Sequence, residues 1–309
     1  MSIVSVNKNN FFSRYSRVPH VFLSQEHLEI HLRQDNKCLY LVDSNSGLGV
    51  FLKTCGESAR SPYAAPFGGF FSKDERTDCT LINQFIKNLT IYLISIGLKD
   101  LRVSLPPSIY AVNTTTKVIN SLMNGNYKIK FIPEINSHIS LNYYDKSDYP
   151  KNLKESIRKT FRSNLKIEEV YEDSEKLIAY KIIEENRKSK LRKMSITYSH
   201  LRQLDEVCKS RYFMVKNNEG ESVASAITFT SAPKIIYAQF WGDSLLGRSL
   251  NAMDFLTVSL VDIFKNEGWS TFDLGVSTED GVPNSGLLRF KESHLFTSTI
   301  KFNISIDLI

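Results

Sequence analysis

Charged and hydroxyl side chains gather in one stretch near the C-terminus, Asp273–Glu292, where their types suit proton transfer and hydrogen bonding to a polar substrate. The apolar run 272–276 predicts the end of a buried strand, and a loop rich in Gly, Pro, Ser and Asn follows it. Leu287, Leu288 and Phe290 then predict a short helix. Open α/β sheets bind ligands in the crevice beyond the carboxyl ends of their strands. The stretch is therefore either a candidate active site or an ordinary surface connection between a strand and a helix.

The sequence before this stretch has helical and strand-like patterns, which predict the elements that position it in the fold. In the first half of the chain, Thr80–Ile96 carries an apolar helical stripe, and Gly97 ends it. The other elements predicted for this half are a helix at 24–34 with Ser24 as N-cap, strands at 37–43, 49–55, 61–71 and 101–105, a helix at 114–124, and strands at 128–132 and 138–143.

The second half repeats the order of the first. The predicted elements are basic helices at 151–163 and 174–189, strands at 211–217, 222–230 and 234–241, a buried helix at 250–264 and a strand at 271–276. Gly97 and Gly268 end the matching helices, and the polar segment 145–151 predicts a boundary between domains 1–147 and 148–309. We predict an α/β protein that arose by duplication, in which each domain is a mixed, mostly antiparallel sheet flanked by helices. The first half has no counterpart of Gly286–Glu292, which predicts one active site per chain.

Composition excludes several classes of protein. The chain has 309 residues, of which 42% are hydrophobic and 23% charged, as in a globular protein with an ordinary core. No apolar run approaches a membrane span, and the N-terminal residues lack the apolar core of a signal peptide, so we expect a cytoplasmic protein. The net charge of +6 is modest, and we expect no DNA partner. The basic runs 151–162 and 187–193 predict solvated helix faces, or a rim for a phosphate-bearing ligand such as a nucleotide-sugar, coenzyme A or tRNA.

Histidine and cysteine spacing predicts no metal site. The four cysteines form no CxxC pair. His27 and His31 are four residues apart and could share a helix face, but no third ligand lies nearby in sequence. We expect both histidines on a solvated helix surface.

Two motifs resemble a known family. The order of elements resembles the GCN5-related N-acetyltransferase (GNAT) fold in tandem. The segments 273–278 (DLGVST) and 284–292 (NSGLLRFKE) look like the end of the FemAB-like and BioF2-like acyltransferases. The segment 61–71, with its Pro-Phe-Gly-Gly, is similar to a first-domain strand of bacterial members linked to surface-polysaccharide clusters. The resemblance covers essentially the whole chain, and it departs from the family after Glu292, where Ser-His-Leu-Phe replaces the usual ending.

The resemblance implies acetyl-CoA or another acyl-CoA as the donor, and no metal. GNAT enzymes hold the pyrophosphate of coenzyme A on a Gln/Arg-x-x-Gly-x-Gly/Ala turn at a helix N-terminus. The nearest match is Ser244-Leu-Leu-Gly-Arg-Ser, which predicts Gly247, Arg248 and Ser249 as cofactor-binding residues although its first and last positions are serine. The first half has no such glycine, so we expect donor binding in the second domain.

Acyl transfer to an amine needs a proton acceptor and donors for the oxyanion of the tetrahedral intermediate. Lys291 matches the Phe-Lys lysine of the Fem-type enzymes, which implies that it polarises the acyl carbonyl; the alternative is an exposed helix lysine. Asp273 is predicted to orient the amine or accept its proton, or else to bond a turn. Glu279 is a second candidate base, and its alternative is a soluble loop residue.

Six further residues are predicted to contact the substrate. Tyr237, Gln239 and Trp241 alternate along one strand and should share a face, where an acceptor sugar could stack or the core could pack. Asp280 follows the candidate base Glu279 in the loop, and it is either a substrate contact or a second candidate base. Asn284 is either a sugar contact or a helix N-cap, and Arg289 pairs with a phosphate or with Glu292.

We predict an N-acyltransferase that uses acetyl-CoA to acylate the amine of a small, nucleotide-linked amino sugar in surface polysaccharide assembly. The sugar follows from the resemblance alone. One alternative is a FemAB-type aminoacyl transferase that moves an amino acid from charged tRNA to a peptidoglycan precursor, although no coiled-coil insertion or extended basic stripe is present. The other alternative is a non-catalytic GNAT-like binding module, which the incomplete pyrophosphate turn favours.

Overall fold

A computed structural model of the chain describes residues 3–15, 17–32, 37–74 and 76–308. Its helices are α1 (Lys8–Arg14), α2 (Gln25–His31), α3 (Cys79–Ser95), α4 (Val112–Asn124), α5 (Lys151–Arg162), α6 (Asp173–Ser189), α7 (Tyr198–Cys208), α8 (Leu245–Ser249), α9 (Ala252–Asn266) and α10 (Ser285–Ser293). Its strands are β1 (Ile3–Ser5), β2 (Cys38–Asp43), β3 (Leu48–Cys55), β4 (Ser58–Ser61), β5 (Phe71–Ser72), β6 (Asp100–Ser104), β7 (Lys128–Ser140), β8 (Lys166–Val170), β9 (Arg211–Lys216), β10 (Ser222–Ala232), β11 (Ile235–Asp243), β12 (Thr271–Val276), β13 (Thr278–Glu279), β14 (Val282–Pro283) and β15 (Thr297–Asp307).

The chain divides into two compact units. Unit 1 consists of Met1–Ile135, Glu279–Val282 and Thr299–Ile309, and unit 2 consists of Asn136–Thr278 and Pro283–Ser298. Most of β15 therefore belongs to unit 1, although it lies at the end of the chain. The predicted division into domains 1–147 and 148–309 stays a prediction.

Unit 1 is a mixed sheet with helices on both faces. Its strands follow the order β1-β2-β3-β4-β6-β15, and β7 lies next to β15. Alternate side chains of β2 and β3 enter two different cores, as the period of a strand requires. Leu41, Val50 and Leu52 pack with the apolar face of α3, whereas Tyr40 and Phe51 pack with α1 and α2. Both faces of this sheet are therefore covered.

Unit 2 has the same layered organisation. Its strands follow the order β12-β11-β10-β9-β8, and Asn136–Ser140 of β7 pair with β12. Helix α9 packs on one face of this sheet, where its buried residues form a core with Phe213, Ile236 and Phe272. Helix α6 lies on the other face, where the hydroxyl of Ser225 donates to the carbonyl of Ala179 at 2.7 Å.

The order of elements is repeated in the two units, as the sequence predicts. In each, three antiparallel strands are followed by a helix and by a strand parallel to the third: β2-β3-β4, α3 and β6 in unit 1, and β9-β10-β11, α9 and β12 in unit 2. The predicted helix at 114–124 is α4, and it follows β6 as α10 follows β12. The expectation that the first half has no counterpart of Gly286–Glu292 is therefore wrong as far as the helix is concerned. The lysine of α4, Lys117, donates to the carbonyl of Thr77 at 2.9 Å.

Two other expectations need correction. The predicted strands 128–132 and 138–143 are one strand, β7, which continues through Pro133. His27 and His31 are buried rather than solvated, with 2% and 6% exposure, because their rings pack against each other with centroids 4.6 Å apart. Of the predicted helix 24–34, residues 33 and 34 lie outside the described residues; Ser24 caps its start by accepting from the amide of His27.

Candidate active site

The parallel strands β11 and β12 separate partway along their length. Their pairing joins Ile235–Tyr237 to Thr271–Asp273, whereas β11 continues to Asp243 and β12 to Val276. Backbone groups beyond this pairing need partners from elsewhere when they are buried. The opening between the two strands is therefore a place where an extended ligand can form backbone hydrogen bonds, in the way that an added strand does.

Asp273 and Gly275 form a tight turn where the pairing ends. Gly275 has a φ of +68°, a left-handed conformation that favours glycine. Its amide donates to Oδ1 of Asp273 at 2.8 Å, and the same oxygen accepts from the side chain of Asn136 at 2.9 Å. Asp273 is fully buried. In this arrangement the carboxylate bonds a turn, which is the alternative role considered for it; its predicted contact with the amine stays a prediction.

Lys291 of α10 holds the end of β12. Its ammonium donates to three successive carbonyls, those of Leu274, Gly275 and Val276, at 2.9, 2.8 and 3.1 Å. The side chain is 1% exposed, so the alternative of an exposed helix lysine is wrong. Burial lowers the pKa of Lys291 to about 7, and the negative charge of Asp273 opposes that shift. Three contacts use all the N–H donors of an ammonium, so Lys291 reaches an acyl carbonyl only if one of these bonds breaks.

Tyr237, Asp273 and His138 form a row across three neighbouring strands. Tyr237 is in register with Asp273, and Asp273 is in register with His138, so the three side chains share one face of the sheet. Of the residues before and after them, Ile236, Ala238, Phe272, Leu274 and Ile139 enter the core under α9 on the opposite face. We call Tyr237, Asp273 and His138 the polar row.

Burial and the charge of Asp273 both shift the pKa values of the other two members of the polar row. Burial raises the pKa of Tyr237, and the charge of Asp273 raises it further. Burial lowers the pKa of His138 below its ordinary 6.5, and the charge of Asp273 opposes that shift. His138 is partly buried, and its Nδ1 is buried without a partner among the described residues. Sequence reasoning missed His138, because only the pairing of β7 with β12 reveals its neighbour.

Trp241 lies on the other face of the sheet from Tyr237, so the prediction that Tyr237, Gln239 and Trp241 share a face is wrong. A β-bulge interrupts the pairing of β11 with β10 between Ala238 and Phe240 and reverses the alternation. Trp241 consequently packs with the core under α9 and contacts Phe290, with ring centroids 5.7 Å apart. Gln239 lies at the bulge, and its Oε1 is buried without a partner among the described residues.

The predicted cofactor residues lie on the short helix α8. Gly247 is buried, and a Cβ there would overlap the carbonyl oxygen of Val223, so close packing of α8 on β10 explains the glycine. Its amide is already capped by the hydroxyl of Ser244 at 3.0 Å. The hydroxyl of Ser249 donates to the carbonyl of Leu246 at 2.8 Å. Arg248 is exposed and lies 3.5 Å from the carboxylate of Asp243.

A group of cations surrounds this end of β11. Asn186 of α6 donates to the carboxylate of Asp243 at 2.7 Å and accepts from Lys190 at 3.0 Å. Burial lowers the pKa of Lys190, and three nearby arginines lower it further. The negative charge of Asp243 raises the pKa and partly offsets these effects. We call this group the basic cluster; its members are Arg187, Lys190, Arg192 and Arg248. An excess of cations around one carboxylate attracts anions.

Four further predicted site residues lie in the chain segment from β13 to α10. Glu279 and Asp280 are exposed and belong to unit 1, whereas the polar row and Lys291 belong to unit 2. Asn284 is the N-cap of α10, where its side chain accepts from the amide of Leu287 at 3.0 Å. The exposed Arg289 donates to the carbonyl of Ser285 at 3.2 Å. Asn284 and Arg289 therefore have local structural roles, and their substrate contacts stay predictions.

Neither a metal site nor a membrane helix is found in the described part of the chain. No group of three or more His, Cys, Asp or Glu residues there could hold a metal ion. Among the described helices, none combines the length and the apolar character needed to cross a bilayer.

Comparison with known proteins identifies the fold. No family model matches the chain, and no curated protein matches it. It is similar to the crystal structure of FemX, with a TM-score of 0.64 and 9% identity over 98% of this chain and 97% of that one. It is also similar to the C-terminal domain of a putative lysylphosphatidylglycerol synthetase from Agrobacterium fabrum, with a TM-score of 0.63 and 12% identity over 97% and 92% of the two chains. A tandem GNAT protein from the clavulanic acid biosynthesis pathway matches with a TM-score of 0.54 and 10% identity over 99% and 98%. The chain therefore has the tandem GNAT fold.

Proposed function

We propose that unit 2 transfers an acyl group from a carrier to an amine. The observation that carries this proposal is the separation of β11 from β12 directly after the Tyr237–Asp273 pair. The arm of coenzyme A is an extended chain that contains amide groups, and such a chain can take the place of a strand in this opening. Oε1 of Gln239, buried at the bulge, is an acceptor for one of its amides.

The basic cluster supplies the second part of donor recognition. At the end of β11, Arg248 lies beside the carboxylate of Asp243, and Lys190 is linked to the same carboxylate through Asn186. The phosphates of coenzyme A, which are anionic, would reach these cations from the opening. We assign donor binding to these cations rather than to Gly247 and Ser249, whose polar groups have partners within α8 or next to it.

Lys291 and Asp273 would act by positioning the backbone at the reaction site. Lys291 donates to the carbonyl of Gly275, and Asp273 accepts from its amide. This turn lies at the mouth of the opening. An acyl group placed there would meet a backbone already fixed in one conformation, so the turn would set the position of the acyl carbon relative to the amine. The acceptor that we propose is the amine of a small, nucleotide-linked amino sugar.

A second candidate is aminoacyl transfer from a charged tRNA, and the basic cluster favours it equally well. Nucleic acid is a polyanion, and the four cations near the end of β11 suit its phosphates. The reacting chemistry is the same, because an aminoacyl ester and an acyl thioester are both attacked by an amine. The structural similarity to FemX makes this candidate worth a direct test.

Ligand-induced stabilisation distinguishes these functions. Acetyl-CoA should raise the melting temperature of the wild-type protein in a concentration-dependent way, since it binds the native state alone. Mass spectrometry of nucleotide-linked amino sugars incubated with acetyl-CoA should then detect a product heavier by one acetyl group. Stabilisation by charged tRNA but by no acyl-CoA would replace the first function with the second. Stabilisation without turnover of any amine would indicate a binding module, and no response to either donor would overturn both enzymatic functions.

A further inference from the structure

We propose that His138 is the general base that removes the proton from the acceptor amine, and that the negative charge of Asp273 makes its ring more basic. This inference rests on the proposed acyl transfer and adds a catalytic residue to it. The sequence separates His138 from Asp273 by more than a hundred residues, and the pairing of β7 with β12 places them directly opposite each other.

The register of the two strands fixes the geometry. Thr271, Phe272 and Asp273 pair with Ser140, Ile139 and His138, so His138 lies opposite the last residue of β12 that also pairs with β11. Directly opposed residues of antiparallel strands have Cβ atoms about 5 Å apart on the same face. The imidazole is therefore next to the carboxylate, on the side of β12 away from β11 and level with the end of the β11–β12 pairing.

The hydrogen bonds of Asp273 keep its carboxylate ionised, so that its negative charge can act on the ring of His138. Its Oδ1 accepts from the amide of Gly275 and from the side chain of Asn136, and both bonds favour the ionised carboxylate. A fixed negative charge beside an imidazole stabilises the imidazolium that forms when the ring takes a proton. Asp273 thus acts through His138 and need not touch the amine.

The surroundings keep His138 neutral before the reaction. Burial lowers its pKa, and Asp273 is the charged group that opposes this. The other titratable groups around Asp273 are Tyr237 and Lys291, and Arg187 of α6 acts on Tyr237 in turn. Nδ1 of His138 is buried, so a substrate proton reaches the ring at Nε2. A neutral ring near pH 7 is the form that a base requires.

The step balances without a further reactant. The nitrogen lone pair of the amine attacks the carbonyl carbon of an acyl thioester, and a C–N bond forms. The C–S bond breaks, and its electrons leave on the sulfur. Nε2 of His138 takes the proton that the amine nitrogen loses, and this proton then neutralises the thiolate. The products are an amide and a free thiol, and His138 returns to its neutral form.

Replacement of His138 tests the proposal, with a second histidine of unit 2 as the control. His138→Gln should reduce kcat by about 100-fold or more, the ordinary contribution of a general base, and should leave acetyl-CoA stabilisation unchanged. It should also remove the acidic limb of the pH–rate profile. His200→Gln, on α7, should behave as wild type. A His138→Gln enzyme with wild-type kcat and an unchanged acidic limb would overturn the proposal while leaving acyl transfer intact. No turnover by the wild type with any donor would overturn the proposed function, and the base with it.

Nuclear magnetic resonance tests the partnership with Asp273 without an activity assay. The ring signal of His138 is assigned by its absence in His138→Gln, and its pKa is measured in wild type and in Asp273→Asn. Asparagine keeps a side-chain oxygen for the amide of Gly275 and removes only the charge. The pKa of His138 should therefore fall in Asp273→Asn, by half a unit or more on the scale expected for a close charge. An unchanged pKa would show that Asp273 does not polarise the ring.

Discussion

The buried ammonium of Lys291 donates a hydrogen bond of 2.8 Å to the carbonyl of Gly275, at the residue where β12 adopts a left-handed conformation. Two neighbouring carbonyls accept from the same ammonium. One side chain therefore supplies hydrogen bonds to the last residues of β12, which no longer pair with β11. The opening between β11 and β12 therefore depends on a lysine from the following helix. This dependence leads to predictions about stability as well as activity.

Gly275→Ala should destabilise the fold and abolish acyl transfer. The φ of +68° costs an alanine about 1 kcal/mol, and its Cβ would lie 2.9 Å from the hydroxyl of the buried Tyr237. The displaced tyrosine ring brings the expected loss of unfolding free energy to about 3 kcal/mol. Urea denaturation measures this loss.

Gly268→Ala is the matched control for that variant. Gly268 has a φ of +76°, and no atom lies within 4 Å of the position of a new Cβ. The free energy of unfolding of Gly268→Ala should fall by about 1 kcal/mol, because only the left-handed backbone conformation is unfavourable for alanine there. Equal losses in the two alanine variants would contradict a tight contact between Gly275 and Tyr237.

Replacement of Lys291 by methionine should change how stability depends on pH. The pKa of this lysine is 10.5 in the unfolded chain and about 7 in the native state. Between these values the unfolded chain binds the additional proton, so stability rises as the pH increases from 7 towards 10.5. Between pH 7 and pH 9 the free energy of unfolding of the wild type should rise by about 2 kcal/mol, and that of Lys291→Met should not show this rise.

The opposite result is equally informative. Identical pH dependence in wild type and Lys291→Met would mean that the three carbonyls keep the lysine protonated throughout. In either case Lys291→Met should lose turnover, because the carbonyls of residues 274–276 lose their shared donor. Retained turnover would remove Lys291 from the site.

Gly247→Ala should unfold unit 2 more readily rather than weaken donor binding selectively. The new Cβ would overlap the backbone of Val223, which a flexible side chain cannot relieve, so we expect a loss of more than about 2 kcal/mol. At Gly286, on α10, the nearest atom to a new Cβ is 3.6 Å away, and Gly286→Ala should be close to neutral. A fully stable Gly247→Ala protein that fails to bind acetyl-CoA would restore the phosphate-binding role predicted from the sequence.

Charge reversal in the basic cluster should weaken binding of the anionic donor. Arg248→Glu should raise the Kd of acetyl-CoA about tenfold and reduce its dependence on salt, because it replaces an attraction by a repulsion. Lys181→Glu changes the net charge equally at an exposed position of α6 and should have little effect. Calorimetric titration at two salt concentrations measures both. Equal effects of the two variants would show that net charge, not the cluster, governs affinity.

Local patterns predicted the elements well where one face of an element is buried. The stripe in Thr80–Ile96 predicts α3, and Ile82, Phe85, Ile86, Leu89 and Leu93 are buried as expected, whereas Leu81 is 38% exposed. Polar edge strands carry a weaker signal. The segment 166–170 (KIEEV) has three buried or partly buried positions, one of which is the charged Glu169, and nothing in its sequence distinguishes strand β8 from a loop.

The site was predictable only in part, because its relationships are long-range. Asp273 and Lys291 are found within one motif, yet their bonds to the Gly275 turn depend on where α10 returns to β12. The face of Trp241 depends on a bulge that strand alternation cannot reveal. His138 gains its significance from a strand register, and a register is set by tertiary packing rather than by local sequence.

Hydrogen exchange tests most directly whether the opening between β11 and β12 holds an acyl donor. Acetyl-CoA should slow the exchange of backbone amides in segments 238–243 and 274–277, because its arm would pair with groups that the separated strands leave open. ATP carries phosphates without that arm and should leave both segments unchanged. Exchange in 238–243 that stays the same at saturating acetyl-CoA, with the protein folded, would contradict the assignment of the opening as the donor site.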